Sequence, residues 1–241
     1  MRYARRLVPI TVLAAALVAG TAACGSSGSS GSSGPAADPL AGLTSKQIAT
    51  KAVTGTKTAN AVRISGSGEN AGSAITLDLT VVKDKGCQGS FSEASQGSFK
   101  LVYDGTTVWM LPDATFYKKN NVPASAVALL NGKYIKVKAT TAGMGSMAQL
   151  CSLSGLLGSV NKDASLSKGV KTTYKGQPAI KITDNTGTGV AYVSDTATPV
   201  LLMINKPGSD GGQLNFAYSG IATTITPPPA SQTIDGSKYG F

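Results

Sequence analysis

The side chains best equipped to form covalent bonds in this sequence are three cysteines, Cys24, Cys87 and Cys151. Cys24 closes the run Thr21-Ala22-Ala23-Cys24, and small residues before a cysteine at the end of an apolar leader resemble a lipoprotein signal peptidase site, with ordinary secretion and cleavage at a small-residue site as the other reading. Cys24 is therefore the expected acylation point. Two or three acyl chains there would hold a protein stably in a membrane, whereas a single chain is marginal. Cys87 and Cys151 remain, and in an oxidising compartment two cysteines most simply pair. A bridge closing a loop of that length would contribute about 4 kcal/mol on the chain-entropy model. Two free thiols, or one reactive thiol, are the alternatives.

Other chemistry finds little support. The chain has no histidine, which removes the commonest general base, the commonest zinc ligand and every Ser-His or Cys-His arrangement. Ser165–Lys168 has the Ser-x-x-Lys spacing of penicillin-binding enzymes, but the partner motifs Ser-Asp-Asn and Lys-Thr-Gly are missing. Ser165 also lies in a polar connection leading into a strand. Gly66-Ser67-Gly68-Glu69-Asn70-Ala71 has G-x-G-x-x-A spacing, yet it falls between predicted strands instead of opening a helix. The physical basis of that motif, phosphate at a helix N-terminus, is absent, so the segment reads as a turn. The twelve acidic residues are scattered singly, with no EF-hand loop among them. These residues point to no enzyme, no metal and no cofactor. Formal charge is +10, falling to +7 without Arg2, Arg5 and Arg6 of the leader. The lysines are dispersed and no basic run is interleaved with aromatics, so no nucleic-acid partner is expected.

The elements that would position these residues follow in chain order. Residues 1–23 form a signal peptide: Arg2, Arg5 and Arg6, then the apolar run Leu7–Gly20, too short to span a bilayer comfortably. Residues 24–42 comprise the lipidated cysteine and a tether, with Gly25–Gly34 reading GSSGSSGSSG. Such a linker is flexible and gives a reach of roughly 20–25 Å. Residues 43–235 form one domain, and 236–241 a tail. Thr44 caps a helix carrying Gln47 in capping-box position, with Ile48, Ala52 and Val53 along one face.

From Ala61 onward the apolar period becomes two. Ile75, Leu77, Leu79 and Val81 alternate with polar neighbours, as do Leu214, Phe216 and Tyr218, and Ile180 and Ile182 flank Lys181. Phe99–Leu111 reads as the central hairpin, turning at Asp104-Gly105 so that Leu101 faces Val108, Phe99 faces Met110 and Lys100 faces Trp109. Phe116–Lys119 is expected as a short strand and Pro123–Leu130 as a short helix. Gly145–Val160 has a helical period through Met147, Leu150, Leu153, Leu157 and Val160, with Leu156 alongside, and Gly155 and Gly158 divide it into two pieces. Pro227-Pro228-Pro229 marks the exit from the sheet, and Ala230–Phe241 is expected as a tail.

A lipoprotein leader, a Gly/Ser tether, an N-terminal helix, the YDGTTVW hairpin, and LNFAYSG followed by ITPPP resemble actinobacterial lipoproteins of the LppX/LprG type. Cys87, Cys151 and the Pro112-Asp113-Ala114-Thr115-Phe116 turn are similar to a two-cysteine secreted actinobacterial subgroup. The resemblance implies an α+β, LolA-like fold: a strongly curved antiparallel sheet of about 10–12 strands, a half-open barrel, with helices covering its concave apolar face. It also implies an extracytoplasmic monomer, anchored in the cell membrane through Cys24, that binds acylated lipids or glycolipids for transport or presentation in the envelope. Acyl chains would lie against Leu77, Leu79, Leu101, Val108, Met110, Ile180, Ile182, Leu214 and Phe216. Met147, Leu150, Leu153, Leu156 and Leu157 would form a lid held by a Cys87–Cys151 disulfide, and lysines at the mouth would meet a phosphate or acidic headgroup. One alternative is an envelope interaction or sensor domain with a closed core, presenting an outer face that includes Trp109; another is a hydrolase with an unrecognised Ser/Asp/Lys site in a polar cleft.

Overall fold

The computed structural model describes residues 38–142, 144–158 and 165–239. The leader, Cys24, the tether to residue 37, and Val160 lie outside the described residues. From Asp38 the chain belongs to one compact unit. Leu40, at the expected end of the tether, is buried in the core, and Asp38 Oδ2 lies 2.9 Å from Lys171 Nζ.

Helix α1 (Ser45–Thr58) starts where the capping box predicts. Gln47 N–H donates to Thr44 Oγ1, and Gln47 Oε1 accepts from Thr44 N–H. Its buried side is Ile48, Ala52, Gly55 and Thr56. The strands follow: β1 (Ala61–Asn70), β2 (Ser73–Val82), β3 (Gly86–Glu93), β4 (Gly97–Tyr103), β5 (Thr107–Pro112) and β6 (Tyr134–Lys138). Between β5 and β6 lie helices α2 (Ala114–Lys119) and α3 (Ala124–Leu130). After β6 come α4 (Gly145–Leu150) and α5 (Leu153–Leu156), then β7 (Val170–Tyr174), β8 (Gln177–Thr183), β9 (Val190–Ser194), β10 (Leu201–Lys206), β11 (Gly212–Ala217) and β12 (Thr233–Asp235).

The fold is mixed α+β. Twelve strands form one curved, unclosed sheet in the order β12-β6-β5-β4-β3-β2-β1-β11-β10-β9-β8-β7. Every pairing is antiparallel except β12 with β6, which is parallel. One face carries the main apolar cluster, which also takes in Ile48 and Ala52 of α1, Tyr117 of α2, Leu130 of α3, and Leu153 and Leu157 at α5. Polar bonds fasten α1 to this sheet. Thr56 is fully buried; its hydroxyl accepts from Leu201 N–H at 2.9 Å and lies 2.9 Å from the Tyr218 hydroxyl, which donates to the Leu201 carbonyl. Burial raises the Tyr218 phenol well above its ordinary value, partly opposed by the Thr56 bond.

Several expectations are corrected. The central hairpin pairs Leu101 with Met110, Val102 with Trp109 and Tyr103 with Val108, two residues from the expected register. The turn centres on Gly105-Thr106, with Gly105 at φ +96°, because Asp104 Oδ1 accepts from the N–H groups of both Thr106 and Thr107. A glycine at the first central position suits a type II′ turn. A slip of two keeps every side chain on its expected face. Phe116–Lys119 is helical instead of extended: Asp113 caps α2, its Oδ1 accepting from Phe116 N–H at 2.7 Å. The segment from Gly66 is strand and not turn; the reversal comes at Ala71-Gly72, both at positive φ.

The chain's end is also structured. After β11 it crosses the other sheet face, where Lys85 Nζ donates to the Thr223 carbonyl and Thr226 N–H donates to Gln88 Oε1. It then pairs as β12 with β6, and a 3₁₀ turn follows at Gly236–Tyr239. Gln88 sits in register with Val102, and Val102 with Trp109. Val102 and Trp109 are both buried, with Trp109 only 6% exposed, so Trp109 does not offer a free outer surface.

Candidate functional site: a hollow row on the apolar face

Residues paired across a sheet share a face, so register groups the apolar side chains into rows. One row runs Ile135, Met110, Leu101, Gly89, Leu79 and Ile64 from β6 to β1, ending at Phe216 on β11. Its side chains are buried, none above 6% exposed. Beside it, Val137, Val108, Tyr103, Cys87, Val81 and Val62 form a second filled row. These rows are closed core.

The row on the opposite flank is different. It runs Phe99, Phe91, Leu77 and Gly66 across β4 to β1, then Leu214, Ile204, Ala191 and Ile182 across β11 to β8. Most of these side chains are only half-buried. Gly66 brings no side chain, and a Cβ there would overlap the Gln213 carbonyl oxygen. Ala191 brings little. Over the β8–β11 and β1–β2 part of this row lies a cavity of about 620 Å³, walled by Ala49 and Val53 of α1, Leu156 of α5, and Leu166. Its volume is that of a small-molecule site, and its body is aliphatic. A second cavity of about 460 Å³ lies over the same row at Phe91 and Phe99, walled by Phe116 of α2 and by Met147, Leu150 and Leu156. Phe91, Phe99 and Phe116 form an aromatic chain with centroid spacings of 5.4 and 6.1 Å.

The rim of the larger cavity is polar. It carries Glu69, Asp184, Asp210, Lys206, Asn205 and Gln213. Asp184 is held in its own loop: its carboxylate accepts from Thr186 Oγ1 at 2.7 Å and from Gly189 N–H at 3.0 Å, and these bonds lower its pKa. Lys206 Nζ donates to the Asp210 carbonyl at 3.3 Å, and Asp210 Oδ1 accepts from Ala71 N–H. Lys206 is the one lysine among the described lining residues, where several were expected to meet a phosphate or acidic headgroup.

The expected contact residues therefore divide between core and cavity. Leu77, Ile182 and Leu214 line the larger cavity, Met147 and Leu150 the smaller, and Leu156 both. Leu79, Leu101, Val108, Met110, Ile180 and Phe216 belong to the buried core, as do Leu153 and Leu157 beneath the helical insert. Sequence reasoning missed Gly66, Ala191, Ile204, Val53 and the three phenylalanines. The alternating Gly66 and Gly68 were the available signal, since glycine inside a strand marks close backbone approach or missing side-chain volume.

A disulfide joins Cys87 of β3 to Cys151 at the end of α4, Cα atoms 5.0 Å apart. It ties the insert carrying Leu156 to the sheet. Ser165 and Lys168 are exposed and line neither cavity. Among the described residues no group of three or more His, Cys, Asp or Glu could hold a metal ion, and no helix is long and apolar enough to cross a membrane. No protein-family model matches this chain, and no curated protein matches it.

Proposed function

We propose that this chain is a membrane-anchored extracytoplasmic lipoprotein that binds acylated lipids or glycolipids between its sheet and helices, for transport or presentation in the cell envelope. In this reading the sheet is a half-open barrel, and α1 with the α4–α5 insert forms the cover over its hollow row. The observation that carries the proposal is the aliphatic cavity of about 620 Å³ on an apolar face whose other two rows are filled. A protein needing only a stable core would fill such a row, because unfilled volume costs stability. Apolar chain burial supplies about 25 cal/mol per Å² before ordering costs. At the rim, Glu69, Asp184 and Asp210 outnumber Lys206 among the described residues, a balance that favours an uncharged headgroup over an anionic one. Recognition through the outer face would have to do without Trp109, which is buried.

The test uses the full chain carrying Cys24→Ser, produced in an oxidising compartment, analysed by native mass spectrometry beside organic extraction. The expected result is a stoichiometric acylated species that Leu214→Trp abolishes, because the indole would occupy the cavity. Leu214 is half-buried, so the variant should fold, which a thermal melt checks. Leu153 and Leu157 are unsuitable for this purpose, since tryptophan at either would disrupt the core. A clean apo mass with no uptake of 1,2-dipalmitoylglycerol would overturn the proposal.

A further inference from the structure

The two cavities are neighbours on one floor. Leu77 of β2 lines the larger and Phe91 of β3 lines the smaller, and these residues are direct register partners. On the side away from the sheet, one side chain among the described residues, Leu156, belongs to the walls of both. Leu156 is held where it is by two devices. Cys151, five residues earlier, is bonded to Cys87, and α5 packs against α1. Gly155 fits because it lacks a Cβ, which would crowd the Gln149 carbonyl at 2.5 Å. The insert thus stands across the apolar row and divides it over the β2–β3 pair.

The compartments differ in lining. The larger is aliphatic, through Val53, Leu77, Ile204 and Leu214; the smaller is aromatic and sulfur-bearing, through Phe91, Phe99, Phe116 and Met147. Both surfaces suit hydrocarbon, and thioether and ring groups adapt readily to a flexible chain. Among the described residues neither wall carries a buried charge that would reject one: Glu93 of the smaller cavity and Asp184 of the larger are partly exposed, and Glu69, Lys206 and Asp210 are exposed. A ligand that fills both must pass on either side of Leu156. From this we infer that the site takes a lipid with two acyl chains, one in each compartment, with Leu156 as the partition that separates them. The inference rests on the lipid-binding reading and specifies its ligand class: a two-chain lipid with an uncharged headgroup.

Two neutral probes test it on the full chain with Cys24→Ser, delipidated and oxidised: 1-palmitoylglycerol and 1,2-dipalmitoylglycerol, followed by native mass spectrometry and titration. The unaltered site should take two equivalents of the one-chain probe and one of the two-chain probe. Met147→Trp fills the smaller compartment, and Met147 is only partly buried against the core, so a thermal melt checks that the variant folds. It should reduce the one-chain stoichiometry from two to one and weaken the two-chain probe about tenfold, with the remaining one-chain affinity unchanged. Gln149→Trp, at the exposed edge of the same cavity, should act in the same direction without risk to folding. One equivalent of each probe, with neither variant altering two-chain affinity, would overturn the partition while leaving lipid binding intact. Binding of neither probe to the unaltered site would overturn both readings.

Discussion

Gly55 shows how one atom sets the fit of a helix on this sheet. It lies inside α1, where alanine ordinarily stabilises by about 1 kcal/mol. Here the added Cβ would overlap the carbonyl oxygen of Pro199 in the β9–β10 connection. Backbone cannot give way as a side-chain end can, so Gly55→Ala should cost about 1–3 kcal/mol. Gly145, at the start of α4, has nothing within 4 Å of an added Cβ. Gly145→Ala should be neutral or gain up to about 1 kcal/mol. Paired denaturant melts would check the opposite signs, and equal effects would discard the close-contact argument. The same contact explains why Thr56, one residue on, can bond both Leu201 and Tyr218: α1 sits close enough for a short side chain to reach the β10 backbone.

The α4–α5 insert depends on its covalent tie more than any other element. α4 buries none of its residues, and α5 is four residues long. Helices that short have little stability of their own, so tertiary fastening must hold them. The Cys87–Cys151 bridge spans 64 positions, and its loss should lower stability by about 4 kcal/mol on the chain-entropy model. The Cys87→Ala/Cys151→Ala double variant, compared with the oxidised protein by hydrogen exchange, should lose protection first over residues 144–158. The β1–β2 pair, with ten register partners, should retain protection. Uniform loss across both regions would show that the bridge holds the fold as a whole and not the insert.

At the scale of the whole molecule, electrostatics set an acid limit to stability. Hydrogen bonds from Lys171, Arg63, Thr186 and Ser237 hold Asp38, Asp78, Asp184 and Asp235 below the ordinary carboxyl range. At Asp104 and Asp113, burial raises the carboxyl pKa, but backbone and hydroxyl donors outweigh it and the net shift is downward. A depressed folded value means the stabilisation is complete above the unfolded value of about 3.9 and is lost as pH falls through the folded values. With no histidine in the chain, the melting temperature should be flat from about pH 5.5 to 8 and fall below about pH 4. A midpoint near pH 6 would contradict this assignment. Each carboxylate is exposed or partly exposed, so no single one dominates the loss.

The strand pattern, the capping box of α1, the two-piece insert and the faces of the central hairpin were legible because they depend on neighbours along the chain. Period-two alternation states which side chains share a face, and that assignment survived even the two-residue slip at Gly105-Thr106. The helix at Ala114–Lys119 escaped a pattern reading because its start rests on one capping carboxylate, Asp113. The buried Trp109 and the pairing of Thr233–Asp235 with β6 depend on a distant segment crossing the sheet. The candidate site was legible only by face. Leu77 and Leu79 are equivalent in sequence, two positions apart on one strand, yet Leu79 is core and Leu77 lines a cavity. What separates them is their row: Leu79 aligns with buried side chains on five other strands and with Gly89 on a sixth, whereas Leu77 aligns with Gly66 and Ala191 under the edge of α1 and Leu156. Sequence by itself determined the composition of the apolar face; only tertiary pairing decided where that face is full and where it is hollow, because volume is shared among side chains brought together from strands far apart in the chain.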